Sequence, residues 1–222
     1  MSQTLHLELR QEICRVARSL FERGYAHATA GNISVRLPGD AGFLITPTDA
    51  CLGFLEPQAL AWVDAQGQQR SGAPASKTLR LHRSIYEADP AAGCVIHTHS
   101  THLVALTLAS GPIDQPWLPP ITPYFVMKVG DVPLIPYRRP GSPEVGPLVA
   151  QAIEQARQQG RPIRAVMLDR LGPNVWHASP GQTMAVLEEL EETAKLWWMT
   201  RGRTCPLSPD QIGELQAAFG RS

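Results

Sequence analysis

The chain has 222 residues, of which 43% are hydrophobic and 18% charged, a balance that predicts a packed core and excludes a disordered chain. The 20 basic and 20 acidic residues cancel to a net charge of +0, so the basic surface typical of nucleic-acid-binding proteins is absent. No apolar run approaches the roughly 20 residues of a membrane span, and residues 1–6 lack the basic-then-apolar pattern of a secretory signal.

In chain order, the first half predicts two helices and three strands. The first helix ends near Gly24, and its apolar residues recur at helical spacing: Leu9, Ile13, Val16, Ala17 and Leu20. The small-residue segment 29–36 is a turn leading into a strand, and a hairpin-like return follows at 43–46. A second helix spans 76–87, capped by Ser76 or a neighbour and stopped before Pro90. Residues 94–99 alternate and predict a strand.

The second half alternates short strands with longer helices. Strands are predicted at 132–136, 165–168 and 174–177, and helices at 143–159, 182–201 and 209–219. Two of these helices have a strong start, because Ser179 and Ser208 each precede a proline and can cap the first turn. No repeat or linker is visible, so residues 1–222 are predicted to form one α/β domain, a three-layer α/β/α fold with a largely antiparallel central sheet.

The cysteines indicate a reducing compartment. Cys14, Cys51, Cys94 and Cys205 are far apart and form no CxxC pair. Secreted disulfide scaffolds are shorter and denser in cysteine, so we expect free thiols and a cytoplasmic protein.

The sharpest chemical feature is the triplet His97-Thr98-His99. On a strand, residues two apart point to the same face, so both imidazoles are expected to converge on one point. Neutral imidazole is a good ligand for zinc and its neighbours, so the pair suits a divalent metal, although two histidines at a surface can equally make ordinary hydrogen bonds.

Three further segments precede this triplet: Gly31-Asn32-Ile33-Ser34, then Ile45-Thr46-Pro47-Thr48, then residues 72–77 with Ser76-Lys77. In this order, the four segments resemble the class II aldolase/adducin family. The resemblance implies that the first three hold a substrate phosphate, through Gly31, Asn32, Thr46, Thr48, Ser76 and Lys77. It also implies that His97 and His99 bind zinc. Small residues let backbone N–H groups approach an anion, while hydroxyls, an amide and a lysine supply donors and charge.

Segments 118–130, 136–141 and 187–196 look like the branch of this family that decarboxylates four-carbon sugar acids. The resemblance implies a metal-dependent lyase that converts a 3-oxo-tetronate 4-phosphate into a three-carbon ketose phosphate and carbon dioxide. It further implies a homotetramer with active sites between subunits, in which exposed Trp197 and Trp198 would support an interface. A small sugar phosphate is the expected partner, with no nucleic acid and no membrane.

The sequence departs from the family at two positions. Thr78 stands where the family has its acid/base glutamate, and threonine has no charge to carry a proton near neutral pH. Leu171 stands where the family has its third metal-binding histidine, and leucine cannot bind metal. Thr78 therefore occupies the catalytic position, with Tyr124 as an alternative proton donor. Candidates to complete the metal site are Asp169, His102, His177 or a group from a neighbouring subunit.

Three functions remain open at this point. The first is the decarboxylase, which needs a proton donor at the end of the reaction rather than a strong base at its start. The second is an aldolase or epimerase of the same fold acting on another sugar phosphate. The third is a phosphate-binding homologue that has lost catalysis, because two active-site residues of the family are replaced here.

Overall fold

The computed structural model describes residues 2–109 and 117–219, with side chains from residue 6 onward. Within these residues, eight strands form one sheet in the order β4-β3-β2-β1-β5-β8-β7-β6. The strands are β1 Asn32–Arg36, β2 Phe43–Ile45, β3 Ala61–Val63, β4 Gln69–Ser71, β5 Cys94–His97, β6 Leu134–Ile135, β7 Ala165–Leu168 and β8 Gly172–His177. β6 and β7 pair in parallel, and the other neighbouring strands pair antiparallel. The predicted α/β class with a largely antiparallel sheet is confirmed.

Helices cover both faces of the sheet. They are α1 Ser2–Glu22, α2 Leu79–Ala88, α3 Thr101–Ala109, α4 Val145–Gln158, α5 Pro180–Met199 and α6 Pro209–Phe219. Side chains of α1, α3 and α5 form one core with alternate sheet residues such as Ile33 and Ile96. The other face buries Val95, Val166 and Trp176 against α2 and α4. No helix in the described part of the chain is long and apolar enough to cross a membrane.

Local sequence explains most of these elements. Ile13, Ala17 and Leu20 of α1 are wholly buried, as their helical spacing predicts. The N–H of Gln182 donates to the Ser179 side chain, and α6 has the equivalent bond from Gln211 to Ser208. Both serine caps are therefore confirmed.

The structure corrects two predicted boundaries. Helix α2 begins at Leu79 rather than residue 76, because the hydroxyls of Ser76 and Thr78 pair with each other at 2.8 Å instead of capping a longer helix. Strand β5 ends at His97, so His99 lies beyond it.

Several short elements were not predicted. β3 and β4 have three residues each, too few to show an alternating pattern. The π-helical turn Phe125–Val129 packs against α5 and α6, which is a tertiary contact rather than a local signal.

One row of the sheet positions the functional residues. His97 on β5 lies opposite Asn32 on β1 and opposite Asn174 on β8. Residues that pair across antiparallel strands share a face, so these three side chains lie on the α2/α4 side of the sheet. The row stands at the end of β5, where the chain leaves the sheet toward α3.

Candidate functional site

His97 is held as one tautomer by the neighbouring strand. Its Nδ1 lies 2.8 Å from the carbonyl oxygen of Pro173. A carbonyl can only accept, so Nδ1 carries the proton and Nε2 keeps its lone pair. Burial, and secondarily His99, lower the pKa of His97 to about 4. Near neutral pH the imidazole is therefore uncharged and able to bind a metal ion.

The imidazole of His99 lies beside that of His97, although β5 ends at His97. The ring centroids of the two histidines are 5.1 Å apart at 66°. β8 packs closely against the segment that follows His97: a Cβ on Gly172, whose φ is +143°, would lie 2.0 Å from the Thr98 carbonyl oxygen. Only glycine lets β8 pass this close. Burial first, and then His27, lower the pKa of His99.

Backbone hydrogen bonds join the three segments assigned to phosphate binding. The Thr46 N–H donates to the Ile33 carbonyl at 3.0 Å, and the Ser76 N–H donates to the Thr46 carbonyl at 3.3 Å. The Thr48 N–H donates to the Pro74 carbonyl at 2.9 Å. Gly31 has φ +91°, and a Cβ there would lie 2.8 Å from the His97 carbonyl oxygen. The structure therefore brings these segments together beside the histidines.

The side chains of these segments differ in accessibility. Thr46 is wholly buried, and its hydroxyl oxygen accepts from the Ile33 N–H at 3.2 Å, so it holds two segments together. Thr48 and Lys77 are exposed, whereas Thr78 is half-buried with its hydroxyl against Ser76. Lys77 stands between these two hydroxyl-bearing residues in the chain, and a cation with hydroxyl donors suits a phosphate.

Tyr124 is not part of this network. It is 61% exposed and lies at the start of the π-helical turn that packs on α5 and α6. Among the described residues of one chain, no contact of Tyr124 supports its predicted role as a proton donor.

A group of buried polar side chains, Asn32, His82 and Asn174, lies beside His97 and was not predicted from the sequence. Four buried side-chain atoms in this row and on α2 lack a hydrogen-bond partner among the described residues: Asn32 Oδ1, His82 Nε2, Asn174 Nδ2 and Asn174 Oδ1. His82 and Asn174 are wholly inaccessible. Buried polar groups are normally satisfied, so such a cluster beside His97 marks a functional region. The alternation of Asn174 with Trp176 on β8 was the available signal, because it places an amide where a core residue is expected.

A chain of hydrogen bonds fixes the tautomer of His82. Tyr86 donates its one hydroxyl proton to the Ser34 carbonyl at 2.9 Å. The Ser34 hydroxyl, 2.8 Å from the Tyr86 oxygen, must therefore donate to it. His82 Nδ1 lies 2.7 Å from Ser34 Oγ and so carries a proton. Burial, and then His97, lower the pKa of His82 to about 3, which leaves Nε2 with a free lone pair.

A divalent metal fits this donor set only in part. Two imidazoles bound to one tetrahedral ion, with metal–nitrogen distances of about 2 Å, have ring centroids roughly 5 Å apart. His97 and His99 match that spacing. Among the described residues, however, no three His, Cys, Asp or Glu side chains already converge on one point. Leu171 lies in the β7–β8 turn next to Gly172 and packs against the α2/α4 core.

The groups considered as a third ligand have other contacts. His102 Nδ1 is 2.8 Å from Glu191 on α5. His177 pairs with Cys94, at the opposite end of β5 from His97 and roughly 10 Å away along the strand. Asp169 faces Arg170 at 4.0 Å.

Comparisons with known proteins agree with this architecture. Residues 11–198 match the family model described as Class II Aldolase and Adducin N-terminal domain. The chain is 56% identical over 190 residues to a 3-oxo-tetronate 4-phosphate decarboxylase from Cupriavidus necator, covering 86% of this chain and 83% of that protein. It is 40% identical to a protein of the same name from Escherichia coli K12, covering 94% and 95% of the two chains.

A solved structure is similar over nearly the whole chain. YgbL from Klebsiella pneumoniae, described as a putative aldolase/epimerase/decarboxylase, superimposes with a TM-score of 0.83 at 40% identity. The match covers 95% of this chain and 98% of that one. The chain belongs to the class II aldolase/adducin family.

Proposed function

We propose that the chain is a lyase that decarboxylates a 3-oxo-tetronate 4-phosphate, giving a three-carbon ketose phosphate and carbon dioxide. The observation that carries this proposal is the 56% identity to the Cupriavidus necator decarboxylase over 86% of the chain. The joined phosphate segments and the imidazole pair supply a site of the required chemistry.

The reaction places two demands on the protein. The bond between the carboxylate carbon and C2 breaks, carbon dioxide leaves, and the electron pair moves onto the C3 oxygen as an enediolate. A proton then adds to C2 and restores the ketone. The protein must stabilise the developing oxyanion and hold the phosphate so that the reacting carbons stay fixed.

The phosphate is assigned to Gly31, Asn32, Thr46, Thr48, Ser76 and Lys77. The exposed Lys77 and the Ser76 hydroxyl provide charge and a donor. Thr46 has a supporting role, because its buried hydroxyl holds β1 against the segment that precedes Ser76. Binding remote from the reacting carbons contributes to catalysis when it fixes their position.

The metal is assigned to His97 and His99, with zinc as the expected ion. When bound, the ion supplies a Lewis acid that stabilises negative charge on the ketone oxygen. The bond from His97 to Pro173 aims its Nε2 lone pair away from β8 and holds the ring in place. Thr78 is assigned to orient the substrate beside Ser76, and Tyr124 to donate the final proton.

The homotetramer and the cytoplasmic location belong to the same proposal. Trp198 is 48% exposed and Met199 is 67% exposed at the end of α5, which is a large apolar surface for a subunit contact. All four cysteines are free, as expected in a reducing compartment.

A phosphate-binding homologue without turnover is the second candidate. It is favoured by one observation, the lack of three converging metal ligands among the described residues. The aldolase or epimerase alternative has no separate support in the structure.

The test is an activity assay of the purified, zinc-loaded protein with a 3-oxo-tetronate 4-phosphate. The substrate is generated in the assay mixture by oxidation of the corresponding hydroxy acid phosphate. We expect release of carbon dioxide and ketose phosphate in equal amounts, and a loss of at least roughly 100-fold in His97→Ala. His177→Ala is the matched control, because this histidine lies on β8 beside the far end of β5. Aldol cleavage of L-fuculose 1-phosphate instead would favour the aldolase. Phosphate-ligand binding without turnover would favour the non-catalytic homologue.

A further inference from the structure

The proposed substrate has two anionic ends, a phosphate at C4 and a carboxylate at C1. The phosphate is assigned to the segments around Asn32 and Ser76, so the carboxylate needs a binding group of its own. Arginine is the residue best suited to this task, because its planar guanidinium donates two parallel hydrogen bonds to the two carboxylate oxygens. The turn between β7 and β8 carries an arginine, Arg170.

Strand register places this turn next to His99. His97 pairs with Asn174, so continuing the same antiparallel register by two residues sets Gly172 opposite His99. The packing agrees, since a Cβ on Gly172 would lie 3.2 Å from the His99 Cα. Arg170 precedes Gly172 by two residues, so their Cα atoms are at most about 7 Å apart. The long side chain of an arginine can span such a distance.

The backbone of the turn is fixed by two neighbouring elements. The Asp169 N–H donates to the Ile135 carbonyl at the end of β6 at 3.0 Å. The Arg170 N–H donates to the Thr107 hydroxyl of α3 at 3.0 Å. This hydroxyl is buried and donates in turn to the Val104 carbonyl at 2.8 Å. A fixed backbone reduces the entropy that the protein loses when the arginine side chain binds a ligand.

Arg170 has a backbone conformation that is unusual for its residue type. The Leu171 N–H donates to the Leu168 carbonyl at 3.1 Å, which closes a four-residue turn. Arg170 is the third residue of this turn and has a φ of +62°. Glycine and asparagine are the usual residues at such a position, because other side chains are crowded there. A non-glycine residue held at positive φ is a feature that clusters at binding sites.

The guanidinium of Arg170 is accessible to a ligand. Its Nε lies 4.0 Å from the Asp169 carboxylate, the outer limit of an ion pair, and the side chain is 56% exposed. This contact is made by Nε, so the two Nη groups offer a separate pair of parallel donors. Arg138, which follows β6 at the same edge of the sheet, is instead held by Glu144 at 2.6 Å.

We propose that Arg170 binds the C1 carboxylate and so selects sugar acid phosphates over sugar phosphates that lack a carboxylate. This inference rests on the decarboxylase given under Proposed function. The phosphate segments lie at β1 and β2, the imidazole pair follows β5 and Arg170 lies in the β7–β8 turn, and the sheet order is β2-β1-β5-β8-β7. The three groups therefore lie along one sheet edge in the order of phosphate, ketone and carboxylate in the substrate.

The assignment predicts which kinetic constant changes. The C1 carboxylate loses its charge as the bond to C2 breaks and carbon dioxide forms, so Arg170 stabilises the bound substrate more than the transition state. Arg170→Gln should raise KM by roughly 10-fold or more, because charge-assisted hydrogen bonds are lost, and should leave kcat unchanged or higher. A substitution that only disturbed the fold beside His99 would lower kcat instead.

Isothermal titration calorimetry measures the same contact without turnover, using two stable ligands. The hydroxy acid phosphate, a tetronate 4-phosphate, keeps the carboxylate but has no 3-oxo group and cannot lose carbon dioxide. The three-carbon ketose phosphate has no carboxylate. We expect Arg170→Gln to weaken binding of the acid phosphate by roughly 10-fold or more and binding of the ketose phosphate by less than about 2-fold.

Two further variants sharpen the comparison. Arg170→Lys keeps the charge but loses the parallel donors, so its affinity for the acid phosphate should lie between those of the wild type and Arg170→Gln. Arg139→Gln is the matched control, because Arg139 is also exposed but follows β6, one strand farther from the imidazole pair. This control should bind both ligands like the wild type.

The two proposals fail in different ways. Equal weakening for both ligands in Arg170→Gln, or none for the acid phosphate, would overturn the role of Arg170, as would a loss in Arg139→Gln in its place. Carbon dioxide release with an unchanged KM in Arg170→Gln would contradict the role of Arg170 and leave the decarboxylase standing. Arg170-dependent binding of the acid phosphate without carbon dioxide release would contradict the decarboxylase and leave the carboxylate site standing.

Discussion

At the scale of single residues, the site combines accessible groups with buried ones that lack partners. Asn174 is wholly buried, yet neither atom of its amide finds a partner among the described residues. An unpaired buried amide costs about 1–3 kcal/mol. A residue that lowers stability beside His97 is the pattern expected at functional sites.

Asn174→Val should therefore leave the free energy of unfolding unchanged or raise it by about 1 kcal/mol, because valine suits a buried strand. Urea denaturation measures the change. Thr183→Val is the matched control: Thr183 is equally buried, but its hydroxyl donates to the Ser179 carbonyl at 2.8 Å, so its loss should cost about 1 kcal/mol. A destabilised Asn174→Val would contradict the inference that the buried amide lacks partners.

His82 makes the stability of the metal-free protein depend on pH. Its pKa falls from an unfolded value of 6.5 to about 3 in the fold, mainly through burial. Between these values the unfolded chain binds more protons than the folded one, so stability falls as pH falls below 6.5. The slope from this residue is at most about 1.4 kcal/mol per pH unit.

His82→Gln removes this titration, so its free energy of unfolding should decline less steeply than that of the wild type between about pH 6.5 and 5. Urea titrations with chelator present, at several pH values, compare the two slopes. Equal slopes would mean that His82 binds the same number of protons in the folded and the unfolded protein over this pH range.

At the scale of elements, the segment after His97 depends on α5. Glu191 on α5 is 2% exposed and accepts from the N–H groups of His102 and Leu103 at 2.9 and 3.1 Å. It also accepts from His102 Nδ1 at 2.8 Å. A buried carboxylate from another helix thus caps α3, whose first turn follows His99. This contact joins residues far apart in sequence, so no local pattern predicts it.

Glu191→Gln keeps the size of the side chain but removes its charge, and we expect a loss of about 1.5–3 kcal/mol in the free energy of unfolding. Glu192→Gln, one residue further along α5, is the control. The Glu192 side chain is exposed and lies 3.7 Å from the Lys195 ammonium. The free energy of unfolding of this variant should therefore stay within about 0.5 kcal/mol of the wild-type value. A loss in Glu191→Gln no larger than that of the control would show that the cap is not needed to hold α3.

At the scale of the whole molecule, the site is open at its edges. Lys77 and Thr48 are exposed, and Tyr124 lies on a separate turn. A neighbouring subunit could bring its own Tyr124 to the site, which is how the proposed tetramer would supply a proton donor that one chain does not place there.

Light scattering coupled to gel filtration should accordingly give a mass about four times the 24.3 kDa of the chain. The apolar end of α5, with Trp198 and Met199 exposed, is the surface expected to be covered. A monomeric mass at micromolar concentration would remove the tetramer from the proposal and leave Tyr124 without a role in the reaction.

Local spacing along the chain predicted the periodic elements and their order. Helices with wholly buried stripes, serine caps before proline and apolar strands depend on local spacing, and these predictions were confirmed. The family could also be recognised from the sequence, because the motifs in segments 31–34, 45–48 and 72–77 are contiguous. The strand predicted over residues 94–99 was too long, because β5 ends at His97, two residues before His99.

Which residues share the site depends on tertiary packing. Asn174 joins His97 through strand register, and His82 joins it through the packing of α2. Neither residue is adjacent to the triplet in sequence, so periodicity and motif spacing could not bring them together. The physical reason is that a site is formed by side chains that meet in space, and pairing between distant strands and helices sets which ones meet.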